Sequence, residues 1–193
     1  YLYTRGLTDY HISKYKIGTS NEYEFINRVI FPSFDKNLDL NFYLARTYDT
    51  QQKFHYKNCK NSKKDIIFNE NFINWKKELI IVEGIFDAIK ANCNVVCALG
   101  SWLDESYVLF QEIVKNKTPV ILAFDPDAKD KSQKIAKNFN SYGIDVKTTI
   151  NKEKDLGEMS FDEAELCIKQ AVNFDNTSRI GYLISDIKSG SIY

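Results

Sequence analysis

Only three prolines and eight glycines punctuate the 193 residues, and four cysteines are scattered along the chain. So little Pro and Gly excludes a collagen-like chain, and so few cysteines exclude a disulfide scaffold. Cys59, Cys93, Cys97 and Cys167 include no Cys-x-x-Cys pair, and His11 and His55 are the only imidazoles. The thiols therefore read as reduced, and no zinc is expected in this chain. Long apolar runs are missing too. The longest, 95–99 and 119–124, are the length of buried strands and far short of the ~18 residues that span a bilayer. No basic-then-apolar leader opens the sequence, so the expectation is a cytoplasmic protein without a membrane partner. Net charge is absent as well, with 26 basic and 26 acidic residues.

What is present is a chain 44% hydrophobic and 27% charged, the composition of a folded domain with its own core. The balanced charge conceals an asymmetry. Residues 1–76 carry 12 basic and 8 acidic side chains, and residues 77–193 carry 14 and 18. Arg46, Lys53, Lys57, Lys60, Lys63 and Lys64 face only Asp49, with Phe54, His55, Tyr56 and Asn58 interleaved. Such a stretch can hold phosphates and stack bases; a solvated lysine-rich loop has the same composition.

The second half alternates. Apolar β-type runs at 79–82, 95–99, 119–124 and 146–150 are separated by helical patterns at 85–91, 104–115 and 129–142, the last closed by Gly143. This alternation predicts a parallel sheet with helices on both faces. Ser160 with Glu163 three residues on predicts a capped helix over 160–170. The first half predicts a short helix over 8–16 and two strands, 28–34 and 40–46, about a turn at 35–39. The fold class is α/β: a small α+β unit, then a doubly covered parallel sheet and a short helical tail.

Ligands of an open parallel sheet bind beyond the carboxyl ends of its strands. The first predicted strand of the second half ends in Glu83 and Gly84 with Asp87 one turn on; the third ends in Asp125, Pro126 and Asp127; Asp155 follows the fourth. Each acid alone fits a helix cap or first turn, as Asp87 and Asp127 do. Five at one rim repel one another unless a hard cation neutralises them, and oxygen-only ligands suit Mg²⁺ or Mn²⁺.

Glu83-Gly84 with Asp87, then Leu99-Gly100-Ser101, then Asp125-Pro126-Asp127 and Lys154-Asp155, resemble a TOPRIM domain in their order. Upstream, Tyr1-Leu2, Arg5-Gly6-Leu7-Thr8, Ile17-Gly18, Arg28-Val29-Ile30-Phe31-Pro32, Ala45-Arg46 and Tyr56-Lys57-Asn58 are similar to the RNA-polymerase core of DnaG-type DNA primases. Ile66-Ile67-Phe68-Asn69-Glu70 has the look of a bacteriophage version. The resemblance covers residues 1–158 and departs at two places. His55 stands where bacterial members carry the lysine of Lys-Tyr-x-Asn, so that the lysine's role either moves to Lys57 or is lost. Leu156-Gly157 replaces a proline and a second aspartate, which leaves Glu158 as the acid nearest that place.

The resemblance implies a primase core subdomain at 1–76, a TOPRIM catalytic domain at 77–158 and a helical tail at 159–193. It implies template-directed synthesis of RNA primers on single-stranded DNA from ribonucleoside triphosphates, with two or more Mg²⁺ or Mn²⁺ ions. Glu83 would be a metal-proximal acid or general base, with Asp87, Asp125, Asp127 and Asp155 as ligands. Arg28, Arg46, Tyr56, Lys57, Asn58, Lys63 and Lys64 would bind nucleotide or template, and a replicative helicase is a further candidate partner. The zinc ribbon with which related primases read template is not encoded in these residues. Two alternatives remain open at this stage: a TOPRIM-type metal-dependent nuclease, and a replication module that binds nucleic acid without catalysis.

Overall fold

The computed structural model describes residues 1–100, 102–150 and 154–174, so Ser101 and residues 175–193 of the tail lie outside the described residues. In the first half, α1 (Asp9–Lys14) follows Thr8, whose backbone N–H donates to His11 Nδ1 at 3.1 Å. Strands β1 (Arg28–Phe34) and β2 (Leu40–Thr47) pair antiparallel. Their turn is fixed by Asp35 Oδ1, which accepts from the N–H groups of Asn37 and Asp39 at 2.8 and 2.9 Å. A third strand, β3 (Tyr56–Asn58), completes the sheet beside β2. Three polar-flanked residues carry no readable period, so this strand is invisible in the sequence.

The second half follows the predicted alternation: β4 (Leu79–Val82), α2 (Ile85–Ala91), β5 (Val95–Cys97), α3 (Val108–Asn116), β6 (Val120–Leu122), α4 (Lys129–Ser141) and β7 (Val146–Thr148). The sheet order runs β5-β4-β6-β7, all parallel, with a fifth strand beyond β7. Gly143 closes the turn after α4 as expected, with φ +73. Helix α3 starts later than the predicted 104. Asp104 Oδ1 accepts from the Ser106 N–H at 2.9 Å, an Asx turn that competes with helix. Ser160 and Glu163 cap α5 (Phe161–Lys169) reciprocally. The chain then adds β8 (Val172–Asn173) antiparallel to β7, so the described part of the tail is not only helical.

Successive residues of β4 enter different cores, as the strand period of two requires. Ile80 and Val82 join a cluster with Phe86 and Ile89 of α2, Ala164 of α5, and Phe31, Phe42 and Leu44 of the first sheet. Leu79 and Ile81 join α3 and α4, where Phe110 stacks on Phe139 at 4.4 Å. The first sheet therefore packs on the α2 side of the parallel sheet and brings β2 and β3 toward the ends of its strands. Each fully buried Leu, Ile or Phe contributes roughly 1.5–3 kcal/mol. Among the described residues no helix is long and apolar enough to cross a membrane.

Candidate active site

Helix α2 returns the chain to β5 on one side of β4, and α3 returns it to β6 on the other. A reversal of this kind opens a crevice at the carboxyl ends of the two central strands. Glu83 leaves the end of β4, Asp87 stands in the first turn of α2, and Asp125 follows β6. Asp155 opens the 3₁₀ turn Leu156–Glu158. Carboxylate oxygens of Asp87, Asp125 and Asp155 all lie within 4.8 Å of one another.

Three of these acids also carry backbone hydrogen bonds at the turns they occupy. Asp87 accepts from the N–H of Gly84 at 2.9 Å and from that of Gly157 at 2.6 Å. Asp155 Oδ1 accepts from the Glu158 N–H at 2.8 Å. Glu83 Oε1 accepts from the Asp125 N–H at 3.1 Å, tying the ends of β4 and β6 together. These bonds fix the carboxylates without removing their repulsion. Burial, then Asp125 and Asp155, push the Asp87 carboxyl up to about 7. Burial, then Asp155 and Asp127, push Asp125 up to about 6. Glu83 is raised by burial and by Asp125. Asp127 is exposed and stands outside the close triad.

Glu83, Asp87, Asp125 and Asp155 line a 340 Å³ cleft together with Arg5, Arg46, Tyr56 and Asn58. Arg46 and Tyr56 are cross-strand partners, and an Arg46 guanidinium N–H donates to the Tyr56 hydroxyl at 2.5 Å. Alternation along β3 puts Tyr56 and Asn58 on the cleft side and Lys57 on the other. Lys57, the candidate substitute for the missing lysine, pairs with Glu24 at 2.6 Å instead.

The remaining expected cations do not line the cleft. Arg28 is buried, and its guanidinium donates to Gln52 Oε1 at 2.8 Å and to the carbonyls of Phe54, His55 and Ala45 at 3.1, 3.3 and 3.4 Å. It acts as a strap on the 52–55 loop, a role that the β-type pattern around it does not announce. Lys63 donates to the Leu99 carbonyl at 3.1 Å and so reaches the loop at the cleft rim. Lys64 donates to Ser106 Oγ at 3.2 Å.

Gly157 is a site residue that the sequence reading missed. A Cβ there would meet Asp87 Oδ1 at 2.8 Å and Phe86 Cβ at 3.1 Å. The signal was the departure itself, a glycine standing where an acid was expected, which marks close approach of backbone to a neighbour.

Fold and crevice together define a class: two sheets, one of them open and mostly parallel, with a cleft that gathers acids, two arginines, a tyrosine and an asparagine. The chain has the fold of DnaG primase catalytic cores. It is similar to the Aquifex aeolicus primase (zinc-binding and RNA polymerase domains) with a TM-score of 0.77 and 17% identity over 90% of this chain and 55% of that one. The E. coli primase catalytic core gives 0.71 and 18%, covering 90% and 72%. A DnaG primase catalytic domain bound to single-stranded DNA gives 0.71 and 17%, covering 89% and 70%. The chain thus spans about half of the Aquifex chain. No family model and no curated protein matches the sequence.

Proposed function

We propose that this chain is the catalytic core of a primase, a nucleotidyltransferase that builds short RNA primers on single-stranded DNA, and that its parallel-sheet unit is a TOPRIM domain of bacteriophage type. On this reading residues 1–76 supply the template and nucleotide wall, 77–158 the catalytic unit, and 159–193 a C-terminal extension. The observation that carries it is the Asp87–Asp125–Asp155 triad within 4.8 Å, in one cleft with Arg46, Tyr56 and Asn58.

The donor set fits Mg²⁺ or Mn²⁺. It is oxygen-only and half-buried, and it holds raised carboxyl pKa values that a divalent cation would bring down. Asp87, Asp125 and Asp155 would hold the ions, with Asp127 and Glu158 at the exposed edge. Held by these residues, divalent ions would supply Lewis acidity, lowering the pKa of an attacking 3′-hydroxyl and offsetting the charge that develops on a leaving pyrophosphate. The chain's own work is positioning. Gly84 and Gly157 N–H groups orient Asp87, and the Asp125 N–H orients Glu83 beside the triad as a proton acceptor. Arg46 holds phosphate, and Tyr56 presents its ring beside that charge. Lys63 steadies the loop at the rim.

Single-stranded DNA, labelled ribonucleoside triphosphates and Mn²⁺ test the proposal together. Oligoribonucleotides are the expected product, absent from an Asp125→Ala, Asp127→Ala double variant that keeps its fold. Shortened DNA would indicate the nuclease alternative, and neither product would indicate a binding module. A replicative helicase as partner is tested separately, by helicase-stimulated primer yield.

A further inference from the structure

We propose that a second pocket, beside the catalytic cleft, binds a small carboxylic acid that carries one ring or one branched chain. It lies where α1, the 3₁₀ turn Glu70–Phe72, α2 and β5 meet, and its volume is 140 Å³. Phe68, Phe72, Ile85, Ala88 and Val95 give it apolar walls. An apolar cavity of about this size takes a single benzene-sized ring. Ile85 and Cys97 line the pocket and the cleft alike, whereas none of the acids and arginines of the cleft reaches the pocket. The two spaces thus share a partition, and the pocket has a chemistry of its own.

The polar side chains of its lining ask for an acceptor. Tyr15 is 7% exposed, and among the described residues its hydroxyl has no hydrogen-bond partner. Asn69 is buried to the same extent. Its Oδ1 accepts from the Phe34 N–H at 3.3 Å, which orients the amide and leaves Nδ2 without an acceptor. Buried donors of this kind are normally met. Lys14 is the one charged residue of the lining. Its Nζ stands 5.2, 5.7 and 5.9 Å from the ring centroids of Tyr15, Tyr10 and Phe72 and donates to Asn92 Oδ1 at 3.4 Å. Among the described residues no carboxylate pairs with it. Burial pushes the Cys93 and Cys97 thiols up to about 11 and about 12, so neither offers an anion at neutral pH. Glu165, which acts on the Cys93 thiol from nearby, is already paired with Lys169.

One ammonium, one hydroxyl and one amide N–H match the two oxygens and the single charge of a carboxylate. A phosphate dianion would bring more charge into an apolar space than one lysine balances. A plain hydrocarbon would suit the walls and leave the Tyr15 and Asn69 donors unmet. No tested residue belongs to the acids or arginines of the cleft, so the outcome is independent of the primase reading.

Titration of the full chain with sodium benzoate, followed by amide chemical shifts, tests the assignment. Benzoate is expected to bind with a dissociation constant on the order of 1 mM and to shift the amides of Tyr15, Asn69, Phe72 and Val95. Benzamide, its uncharged isostere, should bind roughly 10-fold more weakly. Tyr15→Phe removes only the unpartnered hydroxyl and keeps the ring contact with Phe72; it should weaken benzoate binding roughly 3- to 10-fold. Lys14→Met, which keeps the apolar stem, should weaken it roughly 10- to 100-fold. No binding, equal affinity for benzamide, unchanged benzoate affinity in both variants, or shifts centred on Arg5 and Arg46 would overturn the site. Tighter binding of an acetylated tripeptide ending in phenylalanine would overturn the free-ligand assignment in favour of the carboxyl terminus of a partner chain.

Discussion

The acidic residues are the least comfortable in the molecule, and their discomfort is measurable. Without a cation, Asp87 and Asp125 have carboxyls raised to about 7 and about 6 by burial and mutual repulsion. A folded-state pKa above the unfolded value of ~3.9 means that the folded protein binds more protons between those limits, so stability falls as pH rises through that window. The metal-free protein should therefore be more stable at pH 5 than at pH 7.5, by roughly 2 kcal/mol after discounting for solvent. Urea denaturation at the two values checks this. Mn²⁺ should reverse the trend above pH 7, and Asp125→Asn should flatten it; a metal-free profile already flat would contradict the assignment. Gly157 belongs to the same cluster. Gly157→Ala pushes a methyl to 2.8 Å from Asp87 Oδ1, and overpacking of this kind costs ~1–3 kcal/mol. Mn²⁺ affinity, followed by electron paramagnetic resonance, should fall with it. Retained affinity and stability would show that the loop gives way easily.

Elements explain why some expected residues reach the cleft and others do not. Tyr56 and Asn58 face it while Lys57 turns away, because neighbouring residues of a strand point to opposite faces. Composition registered a basic run but had no period from which to assign faces, since β3 is three residues long. Lys57→Ala should therefore leave single-stranded DNA binding and its salt dependence unchanged and remove an exposed ion pair worth ~0–1 kcal/mol. Arg46→Ala should lower the log–log salt slope by roughly 0.7 for each DNA phosphate that the arginine neutralises in the wild type. A reduced slope in Lys57→Ala would place that lysine on the template after all. Arg28 sits in a motif that suggested phosphate, yet three backbone carbonyls and Gln52 take its donors. Removing it leaves buried acceptors unmet, so Arg28→Ala should destabilise by ~2–3 kcal/mol in thermal denaturation. The alternation of strand and helix in the second half was legible because β4 through β7 and their helices are apolar on the faces that pack. Capping was legible at Ser160 and Glu163 for a local reason, since the motif is complete within four residues. Long-range arrangements such as the bond from Arg5 to the Gly157 carbonyl were not, because no sequence spacing encodes them.

At the scale of the whole molecule, one face of the parallel sheet is shared by both halves, and the cleft exists only because the first sheet packs there. On the proposed reading, the arginines and acids of the cleft act on phosphates and sugars, which are the same in every template. Primer yield from this chain alone should therefore vary little among templates of different trinucleotide content; a strong preference for one trinucleotide would mean that the core reads bases. The central claim is that the triad and the residues that share its cleft carry out templated nucleotidyl transfer. Extension of an RNA primer already annealed to DNA bypasses start-site selection and tests it most directly. With Mn²⁺ and four templates differing at the first unpaired base, the complementary ribonucleotide should be added in each case, and the folded Asp125→Asn variant should add none. Addition that ignores the template base, undiminished addition by Asp125→Asn, or no addition by the folded, Mn²⁺-binding wild type would contradict the account.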